Sequence, residues 1–308
     1  MLGTKQKFAA PAFIGIVTVL YNSDEVLEGF FKSLEMQVTT AARQRLYVID
    51  NSPSPTGTRL AERLARDHGV DSVCIFNDHN GGVAAGNNQG IVLALQDGCS
   101  HVLLANNDTE FPPQTIGGLL GSLEHNTATA ITPKIFVYGP GNILWYAGAS
   151  MTGWTMRTPH FGLGKPDCGQ FDTLTETEYA PTCFMLVKVE IFKTVGMMDE
   201  AYFCYYDDTD FVFRLRKAGG RLIYDPSFTV EHKVSSSTGG EESPFSLFYM
   251  TRNRLYFARK NLRGLERFIA LLYVVATRLV RVAAMSRPKG ERVLAGIKAG
   301  MRVPVKRT

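Results

Sequence analysis

Val102-Leu103-Leu104-Ala105 is a short apolar run that stops abruptly at Asn106-Asn107-Asp108-Thr109. A run of this length closed by polar turn formers reads as a strand buried on both faces, as in a parallel sheet covered by helices. Three earlier segments have the same form. Phe13 to Leu20 leads into Tyr21-Asn22-Ser23, Arg45 to Ile49 into Asp50-Asn51-Ser52-Pro53, and Ser72 to Phe76 into Asn77-Asp78. Helical patterns follow each strand, over Asp24 to Met36, Thr58 to Asp67, Val83 to Leu95 and Pro113 to Leu123. This alternation predicts an α/β fold with a mostly parallel sheet, and side chains at the carboxyl ends of such strands face one crevice.

Beyond residue 135 the pattern is less regular. Gly139 to Gly169 is rich in Gly, Pro and Thr, carries Trp145, Trp154 and Phe161, and reads as a hairpin or large loop over the crevice. Glu178 to Val189 is largely apolar, and Glu190 to Val195 is a short helix stopped by Gly196. Phe211 to Ala218 is helical and ends at Gly219-Gly220, a good C-terminal stop. Leu222 to Tyr224 and Phe228 to Val230 read as two strands separated by Asp225-Pro226, leading to Glu231-His232. Ser235 to Ser243 is a polar stretch with the character of a lid.

Charge is unevenly placed along the 308 residues. Residues 1–251 hold 18 Lys and Arg against 27 Asp and Glu, whereas 252–308 hold 15 against 2. Such a tail favours an anionic partner, and apolar residues from Phe268 to Met285 make it an amphipathic helix. Its longest apolar run, Phe268 to Ala276, is about half of what a bilayer span needs. A helix lying on an anionic membrane surface, with Arg278 and Arg281 reaching lipid phosphates, fits better than a spanning one. Core packing or a homo-oligomer contact is the plain alternative; no spacing of aromatic and basic residues supports nucleic-acid binding. Met1 to Ala12 reads as an extension without a signal-peptide core, and the five scattered cysteines, Cys74, Cys99, Cys168, Cys183 and Cys204, as buried reduced thiols. Both point to a cytoplasmic protein.

Two acidic clusters carry the chemistry. Asp108 offers a hard oxygen for Mg²⁺ or Mn²⁺, with Asn106 able to hold a ligating water; a simple turn after the strand also fits. His232 is a candidate partner ligand, and imidazole favours Mn²⁺ over Mg²⁺. At Asp207-Asp208-Thr209-Asp210, helix capping explains one or two acids, and Asp210 can pair with Arg214 at i+4. A third carboxylate crowded there is a candidate general base, its pKa raised by its neighbours. Asn80-Gly81-Gly82-Val83-Ala84-Ala85-Gly86 lacks both the G-x-G-x-x-G and the G-K-[ST] spacing, so its small residues read equally as close helix packing.

Five ordered stretches resemble the family 2 glycosyltransferases: Phe13 to Asn22, Val48-Ile49-Asp50-Asn51-Ser52, Asn80-Gly81-Gly82-x-Ala84-Ala85-Gly86-Asn87-Asn88-x-Gly90-Ile91, Leu103 to Thr109, and Tyr206-Asp207-Asp208-x-Asp210-Phe211-x-x-Arg214-Leu215-Arg216-x-Ala218-Gly219. The nearest branch is that of bacterial rhamnosyltransferases, which Arg252-Asn253-Arg254-Leu255-Tyr256-Phe257 also resembles. The resemblance implies a GT-A domain over 13–260, with a nucleotide-binding half at 13–135 and an acceptor half at 136–260, followed by the basic amphipathic segment 261–308. It implies inverting transfer from a nucleoside-diphosphate sugar, with dTDP-L-rhamnose the leading donor, to a polysaccharide or lipid-linked acceptor at the inner face of the plasma membrane. By the same resemblance Thr18, Tyr21 and Asn22 line the nucleoside pocket, Asp50 and Asn51 meet base or ribose, Asn80 and Asn87 lie near the nucleotide, and Asn107 lies beside donor groups. Asp108 and His232 hold the metal or meet the diphosphate, Arg252 or Arg254 meets phosphate charge, and Asp208, beside Asp207, is the base. Two positions depart from the family pattern: Asn106 stands where a first aspartate is frequent, and Asp207 where glutamate is common.

The chemistry agrees with that division, since inversion needs a base opposite the departing diphosphate and a positive charge on the leaving side. A nucleotidyltransferase would share the crevice and the metal but release pyrophosphate. An inactive membrane scaffold would be expected to lack Asp108 or Asp208, and both are present.

Overall fold

The computed structural model describes residues 11–37, 42–233, 240 and 242–305. The extension at Met1 to Ala12 and the stretch Ser235 to Ser243 lie largely outside them. β1 (Ala12–Leu20), β2 (Ala42–Asp50), β3 (Ser72–Phe76) and β4 (His101–Ala105) form a parallel sheet in the order β3-β2-β1-β4. The middle of this sheet is dry: Ile14, Val17, Leu46, Val48, Ile49 and Val102 to Leu104 are all inaccessible to solvent. α1 (Leu27–Glu35), α2 (Thr56–Asp67) and α3 (Gly82–Gln96) cover it. Strand order reverses beside β1, where such sheets open a crevice at their carboxyl ends.

α3 reaches the sheet because it is nearly bare of side chains on one face. A Cβ added at Gly90 would stand 2.4 Å from Val17 and one at Gly86 2.8 Å from Val19. The close-packing reading of the small residues is therefore correct, and enlarging Gly90 to alanine would cost about 1–3 kcal/mol through overpacking.

The sheet continues through β9 (Phe184–Lys188), β6 (Ala130–Val137), β10 (Leu222–His232) and β5 (Thr109–Glu110), with α4 (Thr115–His125) packed against β6 and β10. β9 runs antiparallel to both β4 and β6, so β6 and its parallel neighbour β10 run in the direction of β4. Their carboxyl ends therefore open on the same crevice as Asn106 to Asp108. β7 (Leu144–Tyr146) pairs with β6 and β8 (Thr175–Glu176) with β10. With bridges Ala149–His160 and Thr152–Arg157, β7 makes the expected hairpin of the Gly139 to Gly169 region. The two strands expected around Asp225-Pro226 are one strand, β10, with its register broken between Asp225 and Thr229. Proline cannot donate to the ladder, and the irregularity accommodates it.

α5 (Glu190–Val195) precedes α6 (Asp207–Lys217), which starts four residues earlier than its apolar pattern suggested and takes the acidic cluster into its first turn. Three helices close the chain: α7 (Pro244–Asn261), α8 (Gly264–Ala283) and α9 (Arg287–Arg302). The basic segment is thus partly built into the globule, because α9 packs on α7 through glycines: a Cβ at Gly300 would lie 2.6 Å from the Arg252 carbonyl oxygen. α8 buries Ala270 and Val274 but leaves Leu265, Phe268, Leu272 and Val280 exposed, Val280 to 76%. Among the described residues no helix is long and apolar enough to cross a membrane. All five cysteines are free thiols; Cys99, Cys183 and Cys204 are buried as expected, Cys74 is half-buried, and Cys168 is exposed on the hairpin.

Candidate active site

The β2 end of the crevice is held together from within. Asp50 has no exposed surface; its carboxylate accepts from Ser52 N–H at 2.9 Å and from Thr58 N–H and hydroxyl at 2.8 Å. The carboxylate expected to meet base or ribose instead pins the start of α2. Asn51 donates to the Gly82 carbonyl at 3.1 Å and accepts from Asn77 at 2.8 Å, and Asn77 also bonds Gln89. Asn80 accepts from Gly82 N–H, and Asn88 clasps Met198 through both its amide oxygen and nitrogen. Asn87 is buried and makes no side-chain hydrogen bond among the described residues. The surface left for a ligand here comes from Tyr21, which is exposed, Asn22 in left-handed backbone at φ 49°, and Thr18, whose buried hydroxyl has no partner. Asn107 donates to the Val19 carbonyl at 2.8 Å and ties the end of β4 to β1.

Asp108 and His232 are brought together by strand pairing. β5 runs antiparallel to the end of β10 with Thr109 opposite His232, which places the imidazole Nε2 3.1 Å from Asp108 Oδ1. The two atoms are within ion-pair range but are not aligned as a hydrogen bond, and Asp108 Oδ1 and His232 Nδ1 are buried without a hydrogen-bonding partner among the described residues. Buried polar atoms without partners are costly and call for an explanation. An oxygen and an imidazole nitrogen about 3 Å apart suit neighbouring positions on one divalent cation with ligand distances near 2.1 Å. Among the described residues no third His, Cys, Asp or Glu joins them, so the donor set fits an ion that takes its remaining ligands from phosphate and water.

A wall of rings runs from His232 to the acidic cluster. Trp145 meets His232 edge to face at 4.6 Å and His160 at 4.9 Å; His160 stacks on Tyr179 at 5.8 Å. His160 Nδ1 donates to the Trp145 carbonyl at 2.9 Å, and burial holds its imidazole neutral by pushing its pKa down. The Tyr179 hydroxyl then donates to Asp208 Oδ2 at 2.5 Å, while Asp208 Oδ1 accepts from Thr209 N–H at 2.6 Å.

Within the cluster the acids have separate environments. Asp208 is half-buried, whereas Asp207 is buried. Burial drives both carboxyl pKa values up; the Asp208 charge adds to the rise at Asp207, and the Tyr179 and Thr209 hydrogen bonds oppose it at Asp208. Asp210 is structural: it accepts from Arg214 at 2.8 Å, as expected from their spacing, and also from Lys260 at 2.9 Å and Asn261 at 2.8 Å.

The backbone before α6 is strained, with Phe203, Tyr205 and Tyr206 at φ 66°, 60° and 67°. Left-handed aromatic residues persist only where their surroundings impose them, typically at active sites. Here Asn253 imposes them. Fully buried, its amide nitrogen reaches the carbonyls of Tyr202, Cys204 and Tyr205 at 2.7–2.9 Å. Val83 N–H grips the Phe203 carbonyl at 2.6 Å, where Gly82, at φ 85°, has no Cβ to obstruct the approach. Asn253 lies inside a stretch noted in the sequence, yet only its flanking arginines carry obvious charge. Arg252 is half-buried over the Tyr249 ring and bonds the Tyr202 carbonyl. Arg254, expected near phosphate, is buried on the α8 side and directs Nε and Nη2 to the Thr155 carbonyl.

This arrangement, a doubly covered sheet with two acidic positions on one crevice, is that of the GT-A glycosyltransferases. Among solved structures the fold matches GalNAc-T7 with UDP, GalNAc and Mn²⁺ at TM-score 0.61, with 14% identity over 80% of this chain and half of that one. It matches the mannosyltransferase PcManGT of Pyrobaculum calidifontis, in complex with GDP-Man and Mn²⁺, at 0.56, with 14% identity over 94% and 81% of the two chains. Residues 15–196, more than half of the chain, match Glycosyl transferase family 2, and the protein belongs to that family. It is 25% identical over 244 residues to the low-salt glycan biosynthesis hexosyltransferase Agl10 of Haloferax volcanii, covering 78% of this chain and 74% of the relative. It is 24% identical over 254 residues to the dTDP-rhamnosyl transferase RfbF of Shigella flexneri, covering 80% and 79%. A 55-residue stretch, 18% of each chain, is 46% identical to the N-acetylglucosaminyl-diphospho-decaprenol L-rhamnosyltransferase of Mycobacterium tuberculosis. The expected membership of a rhamnosyltransferase-like branch of family 2 is correct.

Proposed function

We propose that this glycosyltransferase moves L-rhamnose from a dTDP donor to a hydroxyl of a lipid-diphosphate-linked or polysaccharide acceptor, with inversion. The observation that carries the reading is the pairing of a carboxylate held by Tyr179 and Thr209, Asp208, with the Asp108–His232 pair, unpartnered among the described residues, at the other end of one ring-lined wall. Asp208 takes the proton of the acceptor hydroxyl as that oxygen attacks the anomeric carbon, and the bond to the diphosphate breaks on the opposite face. Tyr179 and Thr209 hold the carboxylate in place; the rings of Trp145, His160 and Tyr179 shield the space between. A divalent cation held by Asp108 and His232 would supply charge compensation for the departing diphosphate. The rhamnose donor is favoured by the rhamnosyltransferases among the relatives.

The exposed apolar stripe of α8, extended by Trp154 and flanked by basic residues, supports peripheral attachment to the cytoplasmic face of an anionic membrane. Incubation of the purified protein with a panel of nucleoside-diphosphate sugars, with Mn²⁺, with Mg²⁺ and with chelator, tests the activity. Cation-dependent release of nucleoside diphosphate, fastest from dTDP-rhamnose, is expected. Faster release from another donor would replace the rhamnose assignment. Pyrophosphate release would replace the reaction itself by nucleotidyl transfer.

A further inference from the structure

Arg254, the turn that ends at Arg157 and the inward face of α8 carrying Arg278 pack together near the start of α6, and among the described residues neither Arg157 nor Arg278 is in an ion pair. Arg254 leaves α7 and is fixed by the Thr155 carbonyl, with its guanidinium carbon 5.4 Å from the centre of the Tyr273 ring. Trp154 meets the same ring at 4.8 Å, so the turn Thr152 to Arg157, α7 and α8 are locked together here. Arg278 lies one helical turn beyond Val274, which itself lies one turn beyond Ala270; those two are the buried residues of α8. Arg278 therefore belongs to the inward face of that helix. Its Nε is buried and has no hydrogen-bonding partner. Arg157 closes the turn and is exposed, and neither it nor Arg278 has an acidic partner among the described residues.

Among the described acids, Glu266 brings its carboxylate to 3.9 Å from the Cβ position of Gly153 but forms no ion pair with any of the three arginines. Glu242 is engaged by Arg281, its ion-pair partner at the end of α8, and by Lys289. The groups that act most on Asp208 are Tyr179, Thr209 and His160. Tyr206, two residues before Asp208, donates its hydroxyl to the Met156 carbonyl at 3.1 Å; burial pushes its pKa up, and the charges of Arg254, Arg278 and Arg157 oppose the rise. Like charges gathered in a partly buried place repel one another, and an anion relieves that repulsion. Guanidinium groups bind phosphate oxygens through paired N–H donors.

We propose that Arg157, Arg254 and Arg278 form a subsite for the diphosphate of the acceptor, on the far side of Tyr206, the residue that precedes the Asp207–Asp208 pair. The assignment rests on the transferase reading given above. The donor diphosphate belongs to the Asp108–His232 end, and the arginine subsite lies beyond Tyr206 at the base end. An acceptor would set its sugar hydroxyl at Asp208, its diphosphate in the arginine cluster, and its lipid along the exposed Leu265, Phe268 and Leu272 of α8.

Isothermal titration of the full chain in EDTA, which removes any cation-borne site, separates the sources of phosphate. Farnesyl diphosphate and inorganic pyrophosphate are expected to bind saturably, and Arg278→Gln to weaken both at least tenfold. Arg157→Gln, on an exposed turn and so without a folding burden, is expected to do the same. Arg287→Gln, at an exposed residue paired with Glu291, should leave binding within twofold. Absence of saturable binding, or unchanged binding in both cluster variants, overturns the subsite. Binding of pyrophosphate but not of farnesyl diphosphate overturns its assignment to a lipid-linked acceptor. Loss of binding to phosphatidylcholine vesicles containing phosphatidic acid, with farnesyl diphosphate unaffected, would assign the arginines to the bilayer instead. Donor hydrolysis without acceptor is measured in parallel in Mn²⁺ buffer without EDTA: if it persists while diphosphate binding is absent, the subsite alone fails, and if it is absent while diphosphate binding persists, the transferase reading fails.

Discussion

Asp208 and Asp108 stand at opposite ends of one wall and are held in opposite ways. Asp208 is wired into the chain: Tyr179 and Thr209 bond its two oxygens, and Asn253 fixes the strained backbone that leads to it. Asp108 faces His232 without a hydrogen bond, and each keeps a buried polar atom unpartnered. A base must be aimed before its substrate proton arrives, so its supports are supplied by the protein. On the proposed reading a phosphate-and-cation site is completed by what enters it, which accounts for the unpartnered atoms of its protein half.

The largest effect that would break this contrast is at the base. Asp208→Asn is expected to lower kcat by about 10²–10⁴-fold, with donor affinity, measured by titration, within a few-fold. Normal turnover would remove Asp208 from its role. At the other end, Asp108→Ala should cost about 10²–10³-fold in kcat/KM, several kcal/mol of charge compensation. It should also abolish the rise in Tm that Mn²⁺ with nucleoside diphosphate gives the parent protein; an undiminished Mn²⁺ effect would place the cation elsewhere.

Tyr179→Phe sharpens the comparison. The Tyr179 hydrogen bond favours the charged form of Asp208 against burial, so its loss raises the Asp208 pKa further. The acid limb of the kcat profile should therefore move to higher pH, with turnover on that limb about tenfold slower. A limb that stays in place would show that another group titrates.

The smallest effect concerns stability. Burial and the neighbouring Asp208 charge raise the Asp207 pKa above its unfolded value, so the folded state binds more protons and stability falls as pH rises through that range. Asp207→Asn removes the loss, and its advantage should grow from pH 4 toward neutrality to on the order of 1 kcal/mol, or about 2–4 °C in Tm. A stabilisation independent of pH would indicate a packing effect instead.

Much of this was legible in the residues. The four apolar runs with polar ends fixed the parallel half of the sheet, and the i+4 spacing of Asp210 and Arg214 gave a real ion pair. The beginning of α6 was not legible, because its first turn is polar and apolar periodicity starts only at Phe211. Neither were the partners of Asp50 and Arg254, since a charged side chain in a family motif reads the same whether it meets a ligand or a backbone carbonyl. Asn253, His160 and Tyr179 carried no signal of their own: an amide, an imidazole and a phenol gain meaning only from the groups they reach.

Sequence by itself determined the alternating strands and helices of the first 125 residues and that acids stand at strand and helix ends, because periodicity and turn chemistry are local. Tertiary structure alone decided that His232 meets Asp108, that Tyr179 meets Asp208, and that Arg254 meets the Thr155 carbonyl. Each of these depends on strand direction or on helix packing between residues far apart in the chain. The pairing of β5 with β10 and the docking of α8 set those distances.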